Sequence, residues 1–454
     1  MEIDATLLSR LQMAFTLAFH ILFPTFTIGL SGFLIILEGG WLRTGNEVYL
    51  RLYRFWSKLF ALGFGVGVVS GIVLTFQFGM NFNGFTHATG NVLGPLFSYE
   101  VLTAFFLEAS FLPIVLFGWG RVGAKLHFFA TVMVALGTIL SSFWILSANS
   151  WMHTPTGYAL HAGVFSVTDW WQVVFNPSFP YRLAHMLMAS FLTGAFVVAG
   201  VSAWHLLRGQ HMVPARQAFA TATLLAAIFA PTQILLGDLH GLQAQRDQPM
   251  KVAAIEALWE TTEGAPFVLF AIPDSEREMN HFELSIPKAA SLILQHHPDG
   301  RVLGLNEVPR DQRPYVPIVF YAFRVMLYIG FFLLAVAAIG IVLRVRGHLF
   351  DRPWFLRLCV FSAPLGFIAV VAGWVVTESG RQPWVVQGLM RTAESATPLP
   401  VNSVMTSFAL FFLVYNLLLA TFLYILYRIV DHGPEETVPE VARAMTRTAW
   451  YPTP

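Results

Sequence analysis

LQMAFTLAFHILFPTFTIGLSGFLIIL, residues 11–37, holds no Asp, Glu, Lys or Arg, and a single imidazole, His20, interrupts it. At about 1.5 Å of rise per residue a helix of this length covers roughly 40 Å, more than the ~30 Å hydrocarbon layer of a bilayer. The stretch therefore reads as a membrane-spanning helix with His20 within or near the edge of the membrane. Lipid tails offer nothing to either ring nitrogen, so the imidazole must meet a hydrogen-bond acceptor, a water-filled cavity or a metal.

The rest of the chain has the same character. Of 454 residues, 56% are hydrophobic and only 12% charged, with a mean hydropathy of +0.62. That composition predicts an all-α integral membrane protein. Spanning windows fall near 11–37, 58–80, 96–118, 126–148, 183–206, 217–237, 316–343, 356–377 and 403–427, about nine transmembrane helices packed in bundles. A net charge of +1 argues against a nucleic-acid footprint, which needs a concentrated basic surface and not a balanced total. The one cysteine, Cys359, excludes an intramolecular disulfide and any Cys-rich metal site, which leaves His, Met or carboxylate as ligands. The start MEIDATLLSR lacks a basic n-region and cleavage pattern, so the first span is expected to be retained.

Lys and Arg concentrate in alternate connections: Arg43, Arg51, Arg54 and Lys58; Arg121 and Lys125; Arg208 and Arg216; Arg344, Arg346, Arg352 and Arg357; then Arg428, Arg443 and Arg447. Cytoplasmic short loops retain such residues, which predicts the N-terminus outside and the C-terminus cytoplasmic. The expected organisation is six spans in residues 1–237, an extracytoplasmic loop over 238–315, three spans in 316–427 and a cytoplasmic tail, 428–454. The loop is too long for a passive link and reads as a functional element.

Ionisable or ligating groups inside spans are few and default to functional hypotheses. His185 in FPYRLAHMLMASF and Met326 in YAFRVMLYIG fall on different helices at similar predicted depth. An imidazole and a thioether so placed can make a six-coordinate haem iron of raised potential. Arg324, two residues before Met326, offers a planar fork suited to a haem propionate. His20 and Glu378, the latter in VAGWVVTESGRQPW, can each ligate another haem from one side. The ordinary reading of Glu378 is a helix-end carboxylate meeting water or Arg381. Glu100 and Glu108, eight residues apart on the third helix, stand about 12 Å apart along its axis and roughly 80° around it. They can be stations on a water-linked proton path, near Ser141, Ser142, Ser147 and Asn149. In QPMKVAAIEALWET, Lys251 and Glu256 flank a short amphipathic stretch with Trp259, equipped to meet a lipid-borne diphenol.

Taken together these stretches resemble subunit I of the cytochrome bd type quinol oxidases. The resemblance runs from SRLQMAFTLAFH through GVVSGIVLTFQFGMNF, GPLFSYEVLTAFFLEASFLPIVLFGWGRVG, SSFWILSANSWM, KVAAIEALWET and YAFRVM to GRQPW. It implies a low-spin haem b held by His185 and Met326 with Arg324 in support. A further haem b and a haem d would take His20 and Glu378 as axial ligands, with Trp374 among the haems. It also implies a proton route through Glu100 and Glu108, and a quinol-binding pair, Lys251 and Glu256, in the outer Q-loop. The stretch from Glu256 to Arg324 is short for the family, which is the pattern of its cyanide-insensitive branch, where the third haem can be b instead of d. The implied enzyme is electrogenic without pumping. It oxidises ubiquinol or menaquinol outside and reduces dioxygen to water with cytoplasmic protons, in the bacterial inner membrane. Its implied partners are a helical subunit II and a small single-helix subunit. The alternative reading is a proton-coupled transporter without haem, which would equally place His and Glu in spans but would more often carry inverted repeats.

Overall fold

A computed structural model describes residues 4–437; Arg443 and Arg447, used above for orientation, lie outside the described residues. Among these residues nine helical segments are long and apolar enough to cross a membrane.

The helices are α1 (Ala5–Thr44), α2 (Glu47–Asn81), α3 (Asn83–Glu100), α4 (Phe106–Phe117), α5 (Ala124–His153), α6 (Trp170–Val174), α7 (Phe179–Leu207), α8 (Met212–Asp247), α9 (Pro249–Glu256), α10 (Ala289–Gln295), α11 (Val316–Val345), α12 (Pro353–Ser362), α13 (Leu365–Ser379), α14 (Thr392–Ser395) and α15 (Val401–His432). Four antiparallel pairs of short strands decorate the connections: β1 (Tyr158–His161) with β2 (Val164–Val167), β3 (Thr262–Glu263) with β6 (Arg301–Val302), β4 (Phe267–Asp274) with β5 (Met279–Ile286), and β7 (Trp384–Val386) with β8 (Met390–Arg391).

Each expected span is present, but most are longer than their apolar windows. Helices extend past the hydrocarbon because capping continues them. Asp4 accepts from the Leu7 amide at 2.6 Å to start α1, and Gly45, at φ 66, closes it by donating to the Trp41 carbonyl. The connection expected over 81–95 is helical: α3 begins directly after Phe82. Likewise α8 runs to Asp247, so the long loop starts ten residues later than its charge pattern suggested.

The third span is not a uniform α-helix. Val101–Phe105 forms a π turn between α3 and α4. Bonding from i to i+5 widens the turn and reduces the rotation per residue, so Glu108 comes round toward the face that carries Glu100. Both carboxylates consequently look at α5, which corrects the 80° separation expected for regular helix.

Buried Phe, Leu and Trp side chains of α1 and α2, with Ala, Val and Phe of α7, α8, α11 and α12, form the main core. A second cluster gathers Met13, Phe82, Val92, Trp151, Phe165 and Val386 at the opposite end. A third ties the long loop to the bundle through Ala253, Trp259, Val268, Phe320 and Val376. The loop is docked as well as packed. Tyr321, Arg324 and Tyr328, on one face of α11, donate to the carbonyls of Ala271, Val268 and Leu269 in β4.

Candidate functional site

His185 projects from α7 toward α8. The Gln233 amide nitrogen lies 3.1 Å from its Nε2, and the His240 ring centroid is 5.4 Å away. Met326, on α11, faces α13: a Cβ added to Gly373 would stand 2.8 Å from its Sδ, so the absence of a side chain there makes room for the thioether. The adjacent Trp374 holds its Nε1–H buried with no partner, as does Gln233 its Oε1. Unpaired polar atoms in hydrocarbon are costly, and these suit a group with polar edges bound between the helices.

His20 is set by α2. Ser70 Oγ donates to the carbonyls of Val66 and Gly67 at 2.9 and 3.0 Å. The same oxygen lies 2.9 Å from His20 Nδ1. In the tautomer with the proton on Nδ1 the imidazole donates to Ser70 and keeps the Nε2 lone pair for a metal, the arrangement by which a supporting hydrogen bond orients a ligating histidine.

Glu378 closes α13 inside a dense polar cluster. Arg381 pairs with its Oε2, Asn149 donates to its Oε1 at 3.0 Å, and His153 Nε2 lies 3.4 Å from the same oxygen. Arg182 in turn donates to Asn149. On the other side of His153, Nδ1 lies 3.0 Å from Lys251 Nζ, which also donates to Gln248 at 2.7 Å. One imidazole thus joins the loop lysine to the carboxylate at the end of α13. Burial pushes the Lys251 ammonium well below the usual lysine range, the Arg182 and Arg381 charges push it further, and Glu378 opposes them.

The short helix α9 has no solvated face, against the amphipathic expectation: Lys251 to Glu256 are all buried. Its two charged groups look to different partners. Glu256 pairs with Arg324 at 3.0 Å, both side chains nearly inaccessible. Burial raises the Glu256 carboxyl above its ordinary value, and Arg324 works against that rise. Arg324 also donates from Nε to Val268 O at 2.9 Å, from Nη1 to Ile255 O at 2.6 Å and from Nη2 to Val268 O. A guanidinium has five N–H groups, and these contacts leave one, on Nη1, for another acceptor.

Glu100 accepts from Ser141 Oγ at 2.7 Å. One turn along α5, Gly137 leaves the space that the Glu108 side chain occupies, since a Cβ there would overlap Glu108 Cγ. The two carboxylates line the same helix interface.

Sequence reasoning passed over His153, Arg182, Gln233, His240 and Gln248. Arg182 and Gln248 sat in expected connections, and His153 just past an expected helix end. It also passed over a fully buried pair, Glu38 with His127 at 2.6 Å, because both stood one residue outside or inside a window edge. A rule that weighs polar residues within a turn of each window edge would have raised Arg182, His240, Glu38 and His127, but not Gln248 or His153. No group of three His, Cys, Asp or Glu suited to a bare metal ion occurs among the described residues.

Against known proteins, the family model for cytochrome bd terminal oxidase subunit I matches residues 8–434. The chain belongs to that family. It is 35% identical to "Cytochrome bd ubiquinol oxidase subunit 1" of Bacillus subtilis, over 94% of each chain. It is 32% identical to "Cytochrome bd-II ubiquinol oxidase subunit 1" of Escherichia coli, over 95% of this chain and 97% of the relative. The solved bd oxidase from Geobacillus thermodenitrificans superposes with a TM-score of 0.90 at 36% identity, covering 95% of this chain and 99% of that one. As a cytochrome bd oxidase subunit I, the chain is part of a multi-pass, quinol-oxidising membrane enzyme that takes haem cofactors and works with a partner subunit.

Proposed function

We propose that this subunit oxidises quinol at the outer membrane face and reduces dioxygen to water at a di-haem site, drawing protons from the cytoplasm and so building a proton motive force without pumping. Bound haem supplies the one-electron and oxygen chemistry. His185 and Met326 would hold a low-spin haem b, with the spare Arg324 N–H and the unpaired Trp374 N–H available to propionates. His20, with its free Nε2, and Glu378 would serve the other two haems, the third being d or, in the short-loop branch, b.

The observation that carries the reading is the link from Lys251 through His153 to Glu378, with contacts of 3.0 and 3.4 Å. It puts the candidate quinol residue and a candidate haem ligand in one hydrogen-bonded cluster. Lys251 donates toward a quinol oxygen, and Glu256, its carboxyl raised by burial, is suited to accept a quinol proton. Glu100 and Glu108 would hand protons inward along the α5 face. The Arg- and Lys-rich ends support an orientation with the N-terminus and the loop outside and the C-terminus cytoplasmic, in the inner membrane of a bacterium. A helical subunit II and a small single-helix subunit would complete it. The relatives' names divide between ubiquinol and menaquinol, and either quinol suits the same donor and acceptor pair.

The test is a reduced-minus-oxidised visible spectrum with haem extraction on the purified complex. Haem b bands support the reading, a chlorin band assigns the third haem as d, and a colourless protein refutes it in favour of a transporter.

A further inference from the structure

Where α2 begins and α15 ends, the two helices present matching faces. Arg51, Arg54, Phe55 and Lys58 recur at i, i+3, i+4 and i+7 on α2, while Tyr424, Ile425, Arg428, Ile429 and His432 share one face of α15. Between them lies a cleft of about 440 Å³, closed by the chain at Gly433–Glu435 and within the roughly 300–1,000 Å³ range of ligand sites.

Four fixed cations meet one carboxylate there. Glu435 takes Lys58 at 2.7 Å and Arg54 at 3.1 Å. Arg51 reaches only the Glu435 backbone carbonyl, at 2.6 Å, and Arg428 only the Tyr424 hydroxyl, at 3.2 Å. Neither has a carboxylate partner among the described residues. One carboxylate offsets only part of four positive charges, so a further anion is favoured there, and guanidinium forks match phosphate oxygens in pairs.

We propose that this cleft binds the phosphate of an anionic glycerophospholipid. The shared chemistry, a phosphate among arginines, would also admit a soluble phosphate, but the walls favour the lipid. Phe55, Ile425 and Ile429 form an apolar side continuous with two membrane-spanning helices, on which an acyl chain can lie while the headgroup stays at the water boundary.

The experiment uses the complete two-subunit enzyme in phosphatidylcholine nanodiscs carrying trace labelled phosphatidylglycerol, with retained label counted after washing. The intact enzyme retains phosphatidylglycerol in preference to phosphatidylcholine. Replacing Arg51, Arg54 and Arg428 with Gln weakens retention about fivefold for each charge removed. Glu435→Gln, which removes the competing carboxylate, strengthens it, so a loss through misfolding is told apart from a loss of charge. Equal retention by the triple variant, no preference for the anionic lipid in the intact enzyme, or displacement by inorganic phosphate at the lipid's own concentration overturns the proposal.

Discussion

Glu256→Ala exposes the energetics of the loop most directly. The Glu256–Arg324 pair is 3.0 Å apart with side chains 6% and 5% exposed. At an effective dielectric of 20 its attraction is about 5.5 kcal/mol before desolvation. Removing one partner of such a pair costs about 3–5 kcal/mol, because the other charge is left buried and unpaired. Arg324 keeps its bonds to Ile255 and Val268, so the cost falls near the lower end, about 3 kcal/mol. Glu256→Gln keeps an acceptor for the guanidinium and should lose roughly 1–2 kcal/mol, the difference between a charged and a neutral hydrogen bond. Removing both charges in Glu256→Ala/Arg324→Met should recover part of the loss. The assay is thermal unfolding of the solubilised complex beside quinol turnover. Quinol oxidation should fall in both single variants of Glu256 while any haem not touched by Arg324 keeps its spectrum. Equal unfolding temperatures for the Ala and Gln variants would refute the reasoning about an uncompensated charge, and unchanged turnover would remove Glu256 from quinol binding.

His185→Ala and Met326→Leu should each abolish the low-spin haem b signal, and a retained signal rules the pair out as ligands. Ser70→Ala removes the hydrogen-bond partner of His20 Nδ1, so a spectroscopic change at the His20 haem with the low-spin haem b intact is expected; identical spectra would show that Ser70 does not orient the ring. Lys251 loses its proton at a pH below that of an ordinary lysine, so quinol oxidation should decline on the alkaline side. Lys251→Arg, which stays charged, should carry that decline to higher pH, and an unmoved alkaline limb discards the assignment. Gly137→Ala drives a methyl against Glu108 and should cost about 1–3 kcal/mol and slow oxygen reduction; full activity means the two helices yield there.

The nine spans were legible because apolar windows long enough to cross the hydrocarbon, with at most two charged residues each, have few other uses, and the family could be read from long unusual motifs such as GPLFSYEVLTAFFLEAS. What escaped was pairing across helices. Nothing in local sequence says that Arg324 answers Glu256, 68 positions away, or that His153 meets both Lys251 and Glu378. Such contacts depend on how rods are rotated and how far caps extend them, and hydropathy windows report neither. The π turn escaped for the same reason, since VLTAF carries no Gly or Pro to mark it.

That wide turn makes the third span sensitive to length in a way point substitutions do not reveal. It accommodates an added residue without breaking the rod: a deletion inside 101–105 that restored regular winding would put Glu108 seven residues, or about 700°, from Glu100 and keep it within roughly 20° of the same face, whereas deleting one position just beyond the turn would swing Glu108 by about 100°. Only the second deletion takes Glu108 out of the Gly137 recess, with every acid still encoded, and the phase of this helix is accordingly as much a part of the inherited machinery as the acids it aligns.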